Sequence, residues 1–434
     1  MRQEDEEEWR RVKRALWIAA LVVAGVVAAV LVLRTWLTPE LPEIDEAAFI
    51  EPDVERPQDA DNAYLAFVAA TNDIAFTYVA ADAVPREEWD AVLASNAQAI
   101  AKIDAAMRLP AWYNAASRHG EPSISFVHFG NVRSLFTMRI KREVEMGEIA
   151  AVVEHVRDMA SMTRIMMEGA SDTFESLLML TATAVYTAVC EVVLSGKATD
   201  DQLSQILQLL MSLDDKKKAL SCRRRILAND YRYHFSDTMR RVEKGEYDMS
   251  EVMSHMGEWF PRKGFSFSPA RTRVECADVY LRAAALLERD FDNDDWQDLK
   301  DEFENELHRR LWVQWFVPNC GAWVVKMDKV GDLRQWAEQM SRFDWSIRMQ
   351  EVIVAAELYR RRAGRYPGAL EDLVPAFLPS VPVDPFDHGA PVKYDAQHGV
   401  IWTVGPDRKC DGELVKFWRS LGCLFDITGK APSE

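Results

Sequence analysis

An uninterrupted apolar run near the N-terminus constrains this 434-residue chain most strongly. Residues 15–33 contain no charged or strongly polar side chain over nineteen positions. As an α-helix they would extend roughly 29 Å, which is close to the thickness of the hydrocarbon core of a bilayer. The sequence therefore predicts one transmembrane anchor over residues 15–34, and through it a membrane as binding partner.

Basic residues lie mainly before this run. Five of them precede it, namely Arg2, Arg10, Arg11, Lys13 and Arg14, whereas Arg34 is the only Lys or Arg between residues 34 and 54. Because segments rich in Lys and Arg stay in the cytoplasm, we expect residues 1–14 to form a cytoplasmic tail and the rest to lie outside the inner (cytoplasmic) membrane. The run continues into Arg34-Thr-Trp-Leu without a small-residue cleavage site, so we interpret it as an uncleaved signal anchor.

Composition describes the body beyond the anchor. A net charge of −17 with 48% hydrophobic residues is typical of a well-packed soluble body, and it argues against nucleic acid as a partner. Four prolines among acidic residues, at positions 39, 42, 52 and 57, indicate an extended linker over residues 35–60.

Residues 61–340 carry apolar residues at helical spacing. We predict one helix from Pro85 through Met107, a long helical series over residues 132–169 and 171–194 that ends at Gly196, and a helix capped by Thr199. Tryptophans and prolines do not recur at a fixed period, so a regular repeat array is not supported. These residues are predicted to form an irregular helical bundle.

Residues 341–434 have a different character. A predicted helix ends at Gly364, and prolines then follow at short intervals with two β-like runs at 391–394 and 400–404. The predicted fold class is therefore mainly α, with a single N-terminal transmembrane helix, an irregular helical bundle and a small C-terminal α+β domain.

An acidic run resembles the beginning of a calcium loop. It starts Asp290-Phe-Asp292-Asn-Asp294-Asp295, but Asp295 stands where such a loop requires glycine. Acidic residues at a helix start are also favoured by capping and by the helix dipole. We favour the capping interpretation.

The eight histidines do not form the paired spacing of a zinc protease helix. Glu154, His155 and Asp158 share a predicted helix and could couple a base to a carboxylate, although a packed histidine near acids is the more common arrangement. The chain also lacks a serine-hydrolase elbow, a phosphate-binding loop and a dinucleotide fingerprint. No catalytic residue is predicted, and a hydrolase using His155 or His234 stays an alternative.

Three other groups of residues have ordinary interpretations. Met159, Met162, Met166, Met167 and Met179 are expected to be core residues rather than a partner groove. The basic residues 216–218 and 223–225 are expected to form a solvated helix face rather than a lipid contact. Cys410 and Cys423 are either a disulfide or two unpaired buried thiols.

A specific order of residues near the C-terminus resembles a known family. The order is Gly364-Arg-Tyr-Pro367, Leu370, Leu373-Val-Pro375, Pro382-Val-Asp-Pro-Phe386, Tyr394, Trp402-Thr-Val-Gly-Pro-Asp407 and Asp411-Gly-Glu413. Residues 345–418 thereby resemble the C-terminal domain of the major pseudopilin of bacterial type II secretion systems, as found in uncharacterised membrane-anchored bacterial proteins. The resemblance implies a helix, an Asp-Pro-aromatic turn, a small sheet and a calcium-binding loop.

The resemblance implies calcium as a cofactor, with Asp407, Asp411 and Glu413 as its metal ligands; calcium prefers several oxygen ligands. The alternative is that Asp407 caps a turn without any ligand. The chain lacks the leader, the Gly-Phe processing site and the acidic residue within the apolar helix that pseudopilins have. We therefore do not expect it to be processed or assembled as a pilin.

The expected function is that of a membrane-anchored extracytoplasmic interaction or scaffold protein that acts through protein partners. Binding is expected rather than catalysis, because no pair of titratable residues has the spacing of a known reaction. Two alternatives stay open, namely an accessory component of a type II secretion-like machine and a membrane-tethered hydrolase with its site in the helical domain.

Overall fold

The structure, a computed structural model, describes residues 2–37, 55–75, 81–114, 126–169, 174–214, 216–246, 268–289, 291–311, 321–397, 399–405 and 424–426. The helices are α1 (Arg2–Leu37), α2 (Ala63–Asn72), α3 (Trp89–Ser95), α4 (Ala97–Met107), α5 (Phe126–Met146), α6 (Ile149–Gly169), α7 (Phe174–Ser195), α8 (Asp200–Met211), α9 (Lys216–Asn229), α10 (Asp237–Glu243), α11 (Pro269–Leu287), α12 (Asn293–Leu311) and α13 (Gly321–Ala363). The strands are β1 (Lys393–Asp395), β2 (Val400–Trp402) and β3 (Leu424–Asp426). The protein is mainly α-helical, as predicted.

The chain divides into two compact units, each discontinuous in sequence. The smaller comprises Met1–Asp45, Phe235–Val279 and Asp298–Gly331, and the larger comprises Glu46–His234, Tyr280–Gln297 and Asp332–Glu434. Helices α11, α12 and α13 each contribute residues to both units. Each unit therefore combines segments that are distant from one another in the sequence.

Helix α1 contains a long apolar stretch that is not buried. Its stretch Arg11–Val32 is long and apolar enough to cross a membrane, and none of it is buried. Leu16, Trp17 and Leu21 are each more than 60% exposed. Such a surface is unfavourable in water, so the helix suits a bilayer, although a signal sequence shares these properties.

The prediction of one helix between Pro85 and Met107 was wrong. The chain forms α3 and α4, which are separated at Asn96. The Asn96 side chain donates to the carbonyl of Val92 at 2.9 Å and accepts from the amide of Ala75 at 2.9 Å. Asparagine side chains compete with helical backbone bonds in this way, so the helix ends here despite its continuous apolar pattern.

Predicted helix ends are confirmed at three positions. Thr199 and Gln202 form a capping box at the start of α8. Gly196 and Gly364 follow α7 and α13 with φ of +63° and +75°, in the left-handed region that glycine adopts easily. A further glycine, Gly147 with φ of +81°, divides the predicted 132–169 series into α5 and α6.

The core of the larger unit joins the helical bundle to the C-terminal segment. Helix α5 packs on α7, and α6 contacts α7, α8 and α9. Residues 349–358 of α13 are buried at every position, which indicates a helix enclosed on all sides. Leu373 and Ile401 from the C-terminal segment belong to the same apolar cluster. Residues 340 and 341, between which the sequence suggested a domain boundary, both lie within α13.

The C-terminal segment contains a three-stranded antiparallel sheet in the order β1-β2-β3. Tyr394 pairs with Ile401, and Ile401 pairs with Phe425. The predicted runs at 391–394 and 400–404 thus overlap β1 and β2, whereas β3 had not been predicted. Burial of Ile401 on the central strand attaches this sheet to the core.

The smaller unit has its own buried residues among those described. Cys276, Ala322 and Val330 are fully buried there, and Lys326 lies over the ring of Phe303 at 5.4 Å. Burial raises the pKa of the Cys276 thiol to about 12, so this cysteine is an inert core residue rather than a nucleophile.

Candidate functional site

Four ionisable side chains from three helices meet inside the larger unit. Arg139 on α5 donates from Nη1 to both carboxylate oxygens of Asp104 on α4, at 3.0 and 2.8 Å. Its Nε donates to Oε1 of Glu143 at 3.1 Å, and Nε2 of His155 on α6 lies 3.0 Å from that same oxygen. The cluster therefore joins α4, α5 and α6.

Burial explains why these groups are paired. His155 and Glu143 are 5% and 9% exposed, and a charge at such depth is tolerated only when it is hydrogen-bonded. Because Glu143 accepts, the imidazole proton is assigned to Nε2 of His155. Nδ1 of His155 and Oε2 of Glu143 have no hydrogen bond within the described part of the chain.

His155 does not pair with Glu154 or Asp158 of its own helix, the less common of the two arrangements that the sequence suggested. Asp158 instead accepts from Arg108, at 2.6 and 2.9 Å, and this hydrogen bond raises the pKa of Arg108. Glu154 pairs with Arg157 on the exposed side of α6. His155 finds its carboxylate on the neighbouring helix, which agrees with a packed histidine.

An apolar cavity of about 10 Å³ lies near this cluster. It is lined by Phe67, Ile103, Met107, Val132, Phe136, Met159, Met162 and Ala184. The volume suits roughly one water molecule, and the lining offers that water no polar partner. None of the four cluster residues lines this cavity, and their hydrogen bonds connect α4, α5 and α6.

Sequence reasoning missed Arg139 and Glu143. Their i, i+4 spacing on α5 is an ordinary ion-pair spacing, and an acid and a base so placed are common on helix surfaces. A usable signal was Gly147, because a turn there folds α6 back along α5 and brings His155 next to Glu143.

A second buried carboxyl group lies on α13. Glu351 is 5% exposed, and its Oε1 has no hydrogen-bond partner among the described residues. Burial and the nearby Asp214 raise the pKa of Glu351 to about 8, although Arg348 acts in the opposite direction. Arg348 itself pairs with Asp214 at 3.2 Å. Neither the burial of Glu351 nor the pairing of Arg348 with Asp214 could be predicted from the sequence.

Asp384, from the Pro-Val-Asp-Pro-Phe run, is fully buried and acts as a structural centre. Its carboxylate accepts from the amide of Phe386 at 2.9 Å, the hydroxyl of Thr403 at 2.6 Å and the amide of Val404 at 2.9 Å. It thus ties the turn after residue 384 to the residues that follow β2. The Asp384 carboxylate therefore shapes the turn at Asp-Pro-Phe.

Hydrogen bonds and a cation–ring contact stabilise the Gly-Arg-Tyr-Pro corner. The Tyr394 hydroxyl donates to the carbonyl of Pro367 at 2.8 Å, and burial raises the pKa of Tyr394 to about 12. Asp372 accepts from the amide of Gly368 at 2.8 Å, and Arg360 lies over the ring of Tyr366 at 5.7 Å. These contacts fix the path of the chain after α13.

The acidic run at residue 290 behaves as a helix start where it is described. Asp292 Oδ1 accepts from the amide of Asp294 at 2.8 Å, immediately at the beginning of α12. Its other oxygen lies 3.2 Å from Nδ1 of His388. The capping interpretation is consistent with these bonds, whereas Asp290 lies outside the described residues.

The methionine group is buried in the core, and the arginine group makes contacts between helices. Met159, Met162, Met166 and Met167 are buried, as the core interpretation predicted, while the Met179 side chain is not described. Arg223 pairs with Asp344 on α13, Arg224 with Glu288 just after α11, and Arg225 with the carbonyl of Glu168. Arg223 is largely buried against Asp344, whereas the contacts of Arg224 and Arg225 are exposed, as the prediction of a solvated face requires. The side chains of residues 216–218 are not described.

The predicted metal ligands Asp407, Asp411 and Glu413 lie outside the described residues, as do Cys410 and Cys423. Within the described ranges, no group of three or more His, Cys, Asp and Glu side chains is arranged to hold a metal ion. Calcium binding and the Cys410–Cys423 disulfide stay predictions.

Comparison of the chain with protein-family models, with curated proteins and with solved structures found no match. The resemblance to major pseudopilins therefore depends only on the C-terminal residues quoted above. Both the secretion-machine alternative and the hydrolase alternative stay predictions.

Proposed function

We propose that this chain is a single-pass protein of the inner (cytoplasmic) membrane whose body lies outside the cytoplasm and binds protein partners as an interaction or scaffold module. The observation that supports it most is α1. Its apolar stretch is wholly exposed, and Arg11, Lys13 and Arg14 stand at its N-terminal end. A helix of this kind is stable in a bilayer with its basic end in the cytoplasm.

An exposed apolar site on the body supports a binding role. Met146 and Leu194, which are 55% and 47% exposed, lie at the ends of α5 and α7. Lys197 Nζ donates to the carbonyls of Val144 and Glu145 at 3.0 and 2.9 Å, so the two helices end side by side. Large apolar side chains that are exposed near two such helix ends are suited to a protein contact.

Reporter fusions test the orientation. Alkaline phosphatase fused after residue 434 is expected to be active, because the enzyme works only outside the cytoplasm, and green fluorescent protein at the same position is expected to be dark. Changing Arg10, Arg11, Lys13 and Arg14 together to Gln is expected to weaken this orientation. An inactive phosphatase fusion, or a membrane-released product that lacks residues 1–33, contradicts the proposal.

Crosslinking tests the binding role. A photoreactive amino acid placed in cells at Met146 or Leu194 is expected to form a discrete crosslinked product with another protein. The same amino acid at Glu154, an exposed polar position on α6, is the matched control. Equal products from all three positions, or none from Met146 and Leu194, contradict a binding surface at this place.

A further inference from the structure

The Glu351 carboxyl is influenced by one carboxylate, Asp214, and by one guanidinium, Arg348. Arg348 precedes Glu351 by one helical turn on α13, and Asp214 follows α8 in the chain. The Asp214 side chain is 31% exposed, whereas Glu351 is buried and one of its oxygens has no hydrogen bond to any residue that the structure describes. Arg348 and Asp214 are the charged groups that act on the Glu351 carboxyl.

Arg348 connects three parts of the larger unit. Its Nε donates to Oδ1 of Asp214 at 3.2 Å, and its Nη1 donates to the carbonyl of Val383 at 3.4 Å. Val383 precedes Asp384, the residue that organises the C-terminal segment. The guanidinium therefore holds the Asp214 segment and the C-terminal segment to α13.

We propose that Glu351, Arg348 and Asp214 form a proton-controlled latch that fastens the C-terminal segment around Val383 to helix α13. While Glu351 carries its proton, Arg348 is available to Asp214 and Val383. When Glu351 loses the proton, a new carboxylate appears three residues from Arg348 on the same helix. It competes for the guanidinium, and the bonds to Asp214 and Val383 weaken.

The direction of the pH effect follows from the two states of Glu351. In the closed state its pKa is about 8, and in an opened, hydrated state it returns towards its ordinary value of 4.5. Between these values opening releases a proton, so the opening equilibrium rises roughly tenfold for each pH unit. Below pH 4.5 both states are protonated, and above pH 8 both are ionised, so the dependence flattens on either side.

Hydrogen exchange of the detergent-solubilised full chain between pH 5.5 and 9 tests the latch. Exchange of peptides containing Val383 and Asp214 is compared at each pH with that of the Glu351→Gln variant, since intrinsic amide exchange accelerates equally in both. The ratio of wild-type to variant opening is expected to rise with pH and level off near pH 8. The Glu371→Gln variant, at an exposed position of the C-terminal segment, is expected to keep the wild-type profile.

A second variant tests the latch by changing Asp214 instead of Glu351. Asp214→Asn removes an anion that raises the pKa of Glu351 and that competes with it for Arg348, so the midpoint of the pH profile is expected to move to lower pH. This readout remains usable if Glu351→Gln does not fold. Parallel profiles for wild type and Glu351→Gln, or an unchanged midpoint in Asp214→Asn, overturn the proposal.

Discussion

Two buried glutamates on α13, fewer than two turns apart, have opposite electrostatic surroundings. Glu351 forms no ion pair within the described part of the chain and is influenced by the charges of Asp214 and Arg348. Glu357 instead accepts from Arg360 at 2.7 Å and from Arg361 at 2.8 Å. Burial alone would raise the pKa of Glu357, but these hydrogen bonds outweigh it and lower the pKa. The same residue type is therefore held neutral at one position and ionised at the other.

We expect Glu357→Gln to destabilise the protein by about 2 kcal/mol at pH 7, because it removes charge-assisted hydrogen bonds to two arginines. A lowered pKa stabilises the fold above the unfolded value near 4.5 and loses that contribution as pH falls through the folded value. Urea unfolding at several pH values measures the difference, which is expected to shrink below about pH 4.5. A loss independent of pH contradicts this assignment.

Gly169 is required by close packing. A Cβ at this position would overlap the carbonyl oxygen of Trp112, whose ring packs against Tyr64 at 5.4 Å. We expect Gly169→Ala to cost about 3 kcal/mol, since backbone cannot move aside cheaply in a packed core. The matched control is Gly331→Ala in α13, where a Cβ meets no atom within 4 Å. Equal midpoints of thermal unfolding for wild type and both variants contradict the prediction.

At the scale of elements, polar side chains decide where several helices and turns stop. Asn96 ends α3 by bonding to the carbonyl of Val92 and the amide of Ala75. The Asp384 carboxylate holds a turn of the C-terminal segment by accepting hydrogen bonds from the Thr403 hydroxyl and the Val404 amide. Each such side chain contacts backbone far along the chain, so these boundaries depend on tertiary structure.

We expect Asp384→Ala to cost about 3 kcal/mol and to loosen residues 383–405, because several buried donors would lose their acceptor. The control is Asp387→Ala. Asp387 pairs with Lys393 Nζ at 2.8 Å, and the Lys393 side chain is 40% exposed. Because exposed ion pairs contribute little, we expect this substitution to cost less than about 1 kcal/mol. Limited proteolysis near the C-terminus, together with urea unfolding, distinguishes the two. Equal sensitivity of both variants contradicts the central role of Asp384.

The calcium prediction concerns the loop that contains Asp407, Asp411 and Glu413. A ligand that binds only the folded state raises the unfolding midpoint by mass action. We expect millimolar calcium to raise the midpoint measured in chelator, and the shift to disappear in the Asp407→Ala, Asp411→Ala double variant. Magnesium at the same concentration is the control. An unchanged midpoint means that the C-terminal resemblance extends to shape alone.

At the scale of the whole molecule, α1 differs from every other described helix. Its span lies outside the apolar cluster that joins the bundle to the C-terminal segment, and that cluster contains residues from α2 to β2. The larger unit therefore has a core of its own, built without α1.

We expect deletion of residues 1–37 to release the protein from membranes in a folded, soluble form. The exposed apolar stretch Arg11–Val32 supplies the hydrophobic attachment, and the larger unit keeps its core without it. Carbonate extraction followed by circular dichroism measures both properties. Deletion of residues 2–8 alone is the control and is expected to leave the protein in the membrane. A truncated chain that stays membrane-bound contradicts the prediction.

Local chemistry made much of this protein predictable from its sequence. The apolar run of α1, the capping box at Thr199 and the glycines after α7 and α13 are properties of neighbouring residues, and each was found where expected. The strands β1 and β2 were likewise indicated by short apolar runs between prolines.

Only the tertiary structure decided which charged residues meet in the interior. Glu143 and His155, Arg348 and Asp214, and Asp384 and Thr403 are partners through folding of the chain, at sequence separations of 12, 134 and 19 residues. A pKa depends on burial and on neighbours in space, so Glu351 and Glu357 cannot be told apart by their residue type. The physical reason is that secondary structure depends on residues close in sequence, whereas desolvation and pairing depend on the packed core.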